Sequence, residues 1–526
     1  MTETVYDRLR ASATRWPDRS LLCVLPETAA AYDIPDGEIS FADALAQVDA
    51  LAAAYAATGY TAGHRVLILL ENRPSYFLHW IALNRLGASA VPVNPDLRAA
   101  ELAYMIGHCE PAGAVAVPSR GKDLSDAASY DLPVFGPDDT PLPPAQSPNA
   151  AEGEAAMLYT SGTTGNPKGC VLRNEYFTMS GDWYKNAGGL CAITEDGERM
   201  LTPLPVFHMN AMACSFMAML TVGGCLIALD RFHPKTWWAS VRDSRATCLH
   251  YLGVIPSILM KTPEDPSDRD HSIKFGFGAG VDPELHAPFE ERFGFPLVEG
   301  WGMTETSAAN TITNNREPRL VGVSCLGLPP DDIEVRVVDE AGQDVPADAP
   351  GELLVRRSGD QPRLAFFDHY YKNPEATAEA WEGGWFHTGD LVRRDAEGRV
   401  FFVDRKKNII RRSGENIAAV EVESVLMQHP AIKAAAVAPV ADEIRGEEVF
   451  ALIVTDTPGE EMVQGIMTFS LDQMAYYKAP GHIAFVDELP LTSTQKIQRG
   501  ALKAQVADLV EDHATHHTAH LKKRQG

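Results

Sequence analysis

With 526 residues, 45% of them hydrophobic and 22% charged, the chain has an ordinary globular composition, which excludes a disordered body and leaves room for about three or four average domains. Its formal net charge of −25 argues against binding nucleic acid or an anionic membrane surface, because the long-range field repels phosphate; any anionic substrate must be met by local cations. Cysteines stand singly at 23, 109, 170, 191, 214, 225, 248 and 325, with no Cys-x-x-Cys pair, as expected of a reduced, cytoplasmic protein.

The first residues mix Glu3, Asp7, Arg8, Arg10, Arg15, Asp18 and Arg19 without an apolar run, so no secretory signal is expected. From residue 60 onward, β-rich runs at 65–70, 89–94 and 113–118 alternate with amphipathic helices at 74–86 and 97–109. That alternation predicts βαβ units and a largely parallel sheet. Residues 119–154, rich in Pro, Asp, Ser and Ala, read as a weakly structured connection. The uncharged stretch 209–229 could imitate a membrane helix, but Gly223-Gly224 divides it into a Met/Ala-rich helix and a strand at 225–229, and no membrane span is predicted. Over 321–357 the pattern changes to strands between Gly and Pro turns, such as 332–338 and 351–356, which suggests a small β-rich subdomain. After Asp404 a compact unit follows, with a helix near 420–428, strands near 434–439 and 449–454, and a final segment through Lys496. The His-rich tail from His513 to His520, followed by Lys522-Lys-Arg524, reads as a frayed terminus.

Chemistry is concentrated first in Leu158-Tyr-Thr-Ser-Gly-Thr-Thr-Gly-Asn-Pro-Lys-Gly169. Gly162, Gly165 and Gly169 let the backbone approach an anion closely, while Thr160, Ser161, Thr163, Thr164 and Lys168 supply donors and one positive charge. It is a polyphosphate loop, distinct from the P-loop of common NTPases, since Asn166-Pro167 separates Gly165 from Lys168. A flexible polar linker is the competing reading. Three further clusters follow: Glu299-Gly-Trp-Gly-Met-Thr-Glu305, Trp385-Phe-His-Thr-Gly-Asp390, and the segment from Asp404-Arg-Lys-Lys through Arg411-Arg-Ser-Gly-Glu-Asn-Ile417.

Together these motifs, in this order, resemble the adenylate-forming superfamily of acyl-CoA synthetases, luciferases and peptide-synthetase adenylation domains. The Ser-Gly-Glu-Asn segment and Pro205-Val-Phe-His-Met-Asn look most like CoA ligases of the crotonobetaine/carnitine type. The resemblance implies an α/β fold. It comprises a large N-terminal domain over 1–403, built of packed mixed α/β sheets with the β-rich subdomain, a hinge at 404–407 containing Lys407, and a small mobile α+β C-terminal domain over 408–526 that rotates between half-reactions. It also implies ATP, Mg²⁺ and coenzyme A as cofactors and a small carboxylic acid as substrate, and leaves homo-oligomerisation open.

Residue by residue, the resemblance assigns Thr304 to the α-phosphate and Glu305 to magnesium, for which one carboxylate with phosphate and water oxygens suffices. Glu305 could otherwise stabilise a helix dipole. Trp301 stands where relatives carry tyrosine and would stack on adenine, or serve only as core. Asp390 and Arg405 match the ribose contacts, with an ordinary turn and a surface ion pair as the alternatives. His208 matches the aromatic gate before the acyl tunnel, with a satisfied core histidine as its rival. Ser413 and Gly414 belong to the segment lining the pantetheine channel. Lys496 matches the lysine that bridges the carboxylate and the α-phosphate, against a solvated surface lysine, but Gln495 replaces the glycine usual before it. The acyl pocket should be lined by the segment after His208, by 276–280 and by 303–307, within which no side chain marks a second substrate group. Transfer to a carrier-protein thiol or another acceptor is the nearest enzymatic rival. A degenerate nucleotide-binding protein is the more distant one.

Overall fold

The computed structural model describes residues 2–97, 99–160, 167–405, 408–412, 415–442, 445–474, 476–491, 496–511 and 514–522. By internal contacts the chain forms two units, one of residues 1–335 and 355–386 and the other of 336–354 and 387–526.

The larger unit holds two sheets. In one, Leu297–Trp301, Phe275–Ala279, Cys248–Leu252, Arg199–Thr202, Cys225–Ala228 and Ser20–Val24 lie side by side in parallel, with Ile312–Thr313 and Gly37–Ser40 antiparallel at the edges. In the other, Glu154–Thr160, Ser89–Pro92, Arg65–Leu69, Gly113–Ala116 and Val134–Phe135 run parallel, and Lys168–Arg173 with His369–Tyr370 extend it antiparallel. Strand Arg65–Leu69 is buried along its whole length, which is why Val66–Leu69 is a continuous apolar run rather than an alternation. Helix Pro74–Arg85 is buried from Tyr76 to Asn84, and its Phe77 stacks on Phe216 at 4.2 Å while Trp80 meets Phe177 edge-on at 4.9 Å. Such aromatic pairs add to the area they bury. Inside this unit Arg65 donates to both oxygens of Glu154 at 2.8 Å, and its guanidinium lies 3.9 Å from the Tyr371 ring centroid. The two charges are buried together and neutralise one another.

Residues 209–229 form a π-helix at Asn210–Phe216, a helix at Met217–Val222 and the strand Cys225–Ala228, so the division at Gly223-Gly224 holds. No helix among the described residues is long and apolar enough to cross a membrane. The expected weak connection differs in one respect: Pro118–Ala127 is a helix, started by Pro118 in its first turn and fixed by buried Leu124. Its polar composition hid the single apolar anchor.

In the smaller unit Ala434–Asp442 and Gly446–Val454 pair antiparallel, and His482–Phe485 joins in parallel. Alternation along the central strand serves two cores. Val449, Ala451 and Ile453 pack with Val422 and Leu426 of helix Ala419–Met427 and Val463 and Ile466 of helix Glu460–Gln473, whereas Phe450 and Leu452 pack with Leu502 and Val506 of helix Arg499–Glu511.

The tail is not frayed over its described residues. His516 and His517 pair with Ile483 and His482, Thr518 donates its N–H to Gly481 and its hydroxyl to Pro480, and Lys522 reaches Glu448 at 2.5 Å. Glu448, fully buried, also accepts from Arg412 at 2.9 Å. A buried carboxylate needs such partners, and periodicity gives no sign of which distant cation supplies them. Burial pulls the Lys522 ammonium down from the usual 10.5 to about 8, with Glu448 opposing. Between about pH 8 and 10.5 the unfolded chain therefore holds a proton that the folded chain has released, so stability from this group rises with pH across that window. Lys522→Met should remove the rise. Chemical denaturation of both proteins at pH 7.5 and 10 should show a difference that changes by up to about 3 kcal/mol in favour of wild type at the higher pH.

Candidate active site

Parallel pairing gathers distant segments. Arg199–Thr202, Cys248–Leu252, Phe275–Ala279 and Leu297–Trp301 are neighbours running the same way, so the segments leaving their carboxyl ends, 203–210, 253, 280 and 302–305, open on one edge of the sheet. Open parallel sheets place ligands at that edge. Approach there is close: a Cβ on Gly253 would lie 1.6 Å from the Gly280 carbonyl oxygen, and one on Gly300 2.7 Å from the Phe277 ring.

Trp301, buried, is the last residue of its strand. Beyond it, the half-buried Thr304 accepts through its carbonyl from Tyr176 Oη at 2.9 Å. Glu305, 5% exposed, accepts from Tyr370 Oη at 2.9 Å, and its carbonyl accepts from the Phe367 N–H at 2.8 Å. Burial, reinforced by the Glu305 charge, pushes the Tyr370 phenol up, so it stays protonated and donates. The same ring lies 4.7 Å from Lys168 Nζ. Edge strand His369–Tyr370 makes this meeting, since Tyr370 pairs with Cys170 two residues after Lys168. Thr160 is opposite Lys168 in the register of the strands that flank the phosphate loop. Ser161, Gly162, Thr163, Thr164 and Gly165 lie outside the described residues. Ser307 closes the motif at φ 59°, a left-handed backbone unusual without glycine, and its hydroxyl accepts from Ala309 N–H at 3.1 Å. His208 is half-buried beside Phe207, with ring centroids 4.7 Å apart, and its carbonyl accepts from the Met212 N–H at 3.1 Å.

Among the described residues no group of three or more His, Cys, Asp or Glu could hold a metal ion. One buried carboxylate beside a polyphosphate loop suits magnesium, which keeps water and phosphate oxygens for most of its positions. The donor set fits that ion, with Glu305 as the residue that would hold it.

In the smaller unit Asp390 and Arg405 are direct partners across a hairpin and form an ion pair of 2.6 Å, the carboxylate buried and the guanidinium partly exposed. Thr388 Oγ1 accepts from the Asp390 N–H at 3.0 Å and donates to the Leu353 carbonyl at 2.7 Å, which fixes the turn. Asp404, also buried, accepts from the Asn408 amide and the Val420 N–H at 3.2 Å each, tying the strand end to helix Ala419–Met427. Lys496 is exposed, yet desolvation lowers its ammonium pKa, with Arg405 acting in the same direction and Asp390 against it. The exposed area decides access, and the charges identify its neighbours as the ribose-assigned pair. Lys407, Ser413, Gly414 and Gln495 lie outside the described residues.

Comparison with known proteins matches two family models to the chain. The family described as AMP-binding enzyme matches residues 9–360, and the AMP-binding enzyme C-terminal domain matches 421–496. The chain belongs to the AMP-binding enzyme family. Among its relatives, a sulfoacetate–CoA ligase from Cupriavidus necator is 30% identical, covering 94% of this chain and 97% of the relative. A crotonobetaine/carnitine–CoA ligase from Citrobacter koseri is 28% identical, covering 91% and 96%. The solved O-succinylbenzoate coenzyme A synthetase from Bacillus subtilis, in complex with ATP and magnesium ion, superposes with a TM-score of 0.78 at 26% identity, covering 94% of this chain and 99% of that one.

Within this family member, sequence reading missed the supports of the motif residues. Tyr370 and Tyr176 belong to none of the motifs singled out, and only strand pairing and helix packing bring them to Glu305 and Thr304. Tyr370→Phe should leave the fold intact, since the ring keeps its packing, while releasing the Glu305 carboxylate. Magnesium titration of pyrophosphate release should show the half-saturating concentration raised by about tenfold or more, the usual effect of losing a support to a metal ligand; an unchanged titration would show that Tyr370 does not orient Glu305.

Proposed function

We propose that the chain works in the cytoplasm as an AMP-forming carboxylate–CoA ligase for a small-to-medium organic acid, with the motif residues in the roles their resemblance assigns. The observation that carries it is the Lys168–Tyr370–Glu305 constellation beside the phosphate loop, at the carboxyl ends of parallel strands. In the first half-reaction a carboxylate oxygen bonds to the α-phosphorus of ATP as the bond to the bridging oxygen breaks, and pyrophosphate leaves with that electron pair. Charge accumulates at one phosphorus, so stabilisation is a matter of placed cations and donors. Lys168 and the hydroxyls of Thr160, Ser161, Thr163 and Thr164 hold the β- and γ-phosphates. The Thr304 hydroxyl meets the α-phosphate, Trp301 stacks on adenine, and Asp390 with Arg405 takes the ribose. Glu305 would hold magnesium, which would offset the charge of the polyphosphate. Lys496 bridges the entering carboxylate and the α-phosphate. Its pKa is lowered by desolvation first and by Arg405 second, a cost that substrate anions would offset.

In the second half-reaction the thiol sulfur of coenzyme A bonds to the acyl carbon and AMP leaves. His208 gates the acyl tunnel, Ser413 and Gly414 line the approach of the pantetheine arm, and the segment 404–407 is the hinge between the domains over 1–403 and 408–526.

Pyrophosphate release from ATP and Mg²⁺ across short-chain, branched, betaine-like, dicarboxylic and aryl acids, with thioester identified by mass, tests the reading. Acid-dependent release with acyl-CoA formed is the expected result; release without acylated CoA would indicate a carrier protein or other acceptor. Lys496→Ala should lower acid activation by about a hundredfold or more, as loss of a charge-stabilising group does, while thioester formation from supplied acyl-adenylate persists. Equal loss in both steps would refute the division of labour.

A further inference from the structure

A buried polar chain begins two strands away from the strand that carries Glu299. His250, on strand Cys248–Leu252, is fully buried, and burial pulls its imidazole down to about 3, so the ring is neutral and carries one proton. Its Nε2 lies 2.9 Å from Tyr184 Oη. Its Nδ1 lies 2.7 Å from Asn210 Oδ1 and 2.8 Å from Ser215 Oγ, both on the π-helix that begins two residues after His208.

Donor and acceptor counting fixes the proton. Tyr184 is fully buried, its phenol is pushed well up by burial, and His250 Nε2 is its hydroxyl's partner among the described residues. The Tyr184 O–H must therefore donate, because otherwise a buried hydroxyl hydrogen would be unpaired. Nε2 accepts, so the ring proton is on Nδ1 and donates to an oxygen. Asn210 Oδ1 is that oxygen. Ser215 Oγ sends its own hydrogen to the Asn210 backbone carbonyl at 3.3 Å. Asn210 is thus held with its amide oxygen on His250, and its –NH₂ group, on a half-buried residue, has no partner among the described residues. π-Helical turns recur at functional sites, and this one widens the helix immediately after the gate residue.

We propose that Asn210 is a specificity-determining residue: its amide donates to a second acceptor on the acyl substrate, and His250 is the positioning residue that prevents the amide from flipping. The substrate class is then a short acid bearing a hydroxyl, carbonyl, sulfonate or second carboxylate oxygen beyond its reacting carboxylate, in preference to a plain alkyl acid. This inference rests on the ligase reading and on the segment after His208 lining the acyl pocket.

The test compares the full-length wild type with Asn210→Asp and Asn210→Ala, using 3-hydroxybutyrate against butyrate and sulfoacetate against propionate, followed by pyrophosphate release. Asn210→Asp keeps an inward oxygen on His250 Nδ1–H but replaces the donor with a charged oxygen, and Asn210→Ala removes the donor without adding charge, so loss of the preference in both separates the missing donor from repulsion. Wild type should favour the acceptor-bearing member of at least one pair by about tenfold in kcat/KM, the scale of one or two hydrogen bonds. Asn210→Asp and Asn210→Ala should both abolish that preference mainly through KM. Nitrogen-15 NMR of labelled histidine, comparing wild type with His250→Gln to assign the signal, should show the Nδ1–H tautomer. An Nε2–H tautomer, a preference unmoved by Asn210→Asp, or a wild type that favours the alkyl acids would overturn the proposal. No acid-dependent release from wild type with any acid would overturn the ligase reading itself.

Discussion

Parallel strand pairing is the constraint on which the site depends. Strands leaving residues 202, 252, 279 and 301 share one sheet and run in the same direction, and that direction places their exits at one edge. Segments separated by about a hundred residues therefore supply His208, Gly280 and Glu305 to a common region without a contact encoded locally. The small residues at 253, 276, 278 and 300 follow from the same constraint, since a side chain at any of them would meet a neighbouring strand.

An acidic chain has to bind a polyanion, and the structure shows how ions are held in register for it. Each buried carboxylate near the proposed chemistry has its own donor: Tyr370 for Glu305, Arg405 for Asp390, two amide groups for Asp404. None of these contacts is worth much as a surface ion pair, but each prevents a buried charge from being left unpaired, which would cost several kcal/mol. The same rule ties the tail to the smaller unit through Glu448, Arg412 and Lys522.

Local signals read well where packing reinforced them. The strands and helices between 65 and 116 fall within a few residues of their expected bounds, because apolar periodicity there coincides with full burial. Helix Pro118–Ala127 was missed because Leu124 alone anchors a polar segment, and the tail because its order comes from partners at 448 and 480–483. Asn210 is unremarkable in sequence, and it becomes informative only beside His250 and Tyr184.

By itself the sequence determined the α/β class, the family and the identity of the charged and hydroxyl groups, because these depend on periodicity and on residue types at fixed short spacing. Tertiary structure alone decided which groups support them: Tyr370 beneath Glu305, Tyr176 on Thr304, Lys522 on Glu448, and the chain from Tyr184 through His250 to Asn210. The physical reason is range. Strand direction, register and burial act between residues far apart in the chain, and the protonation state of a buried ring is set by every donor and acceptor around it at once.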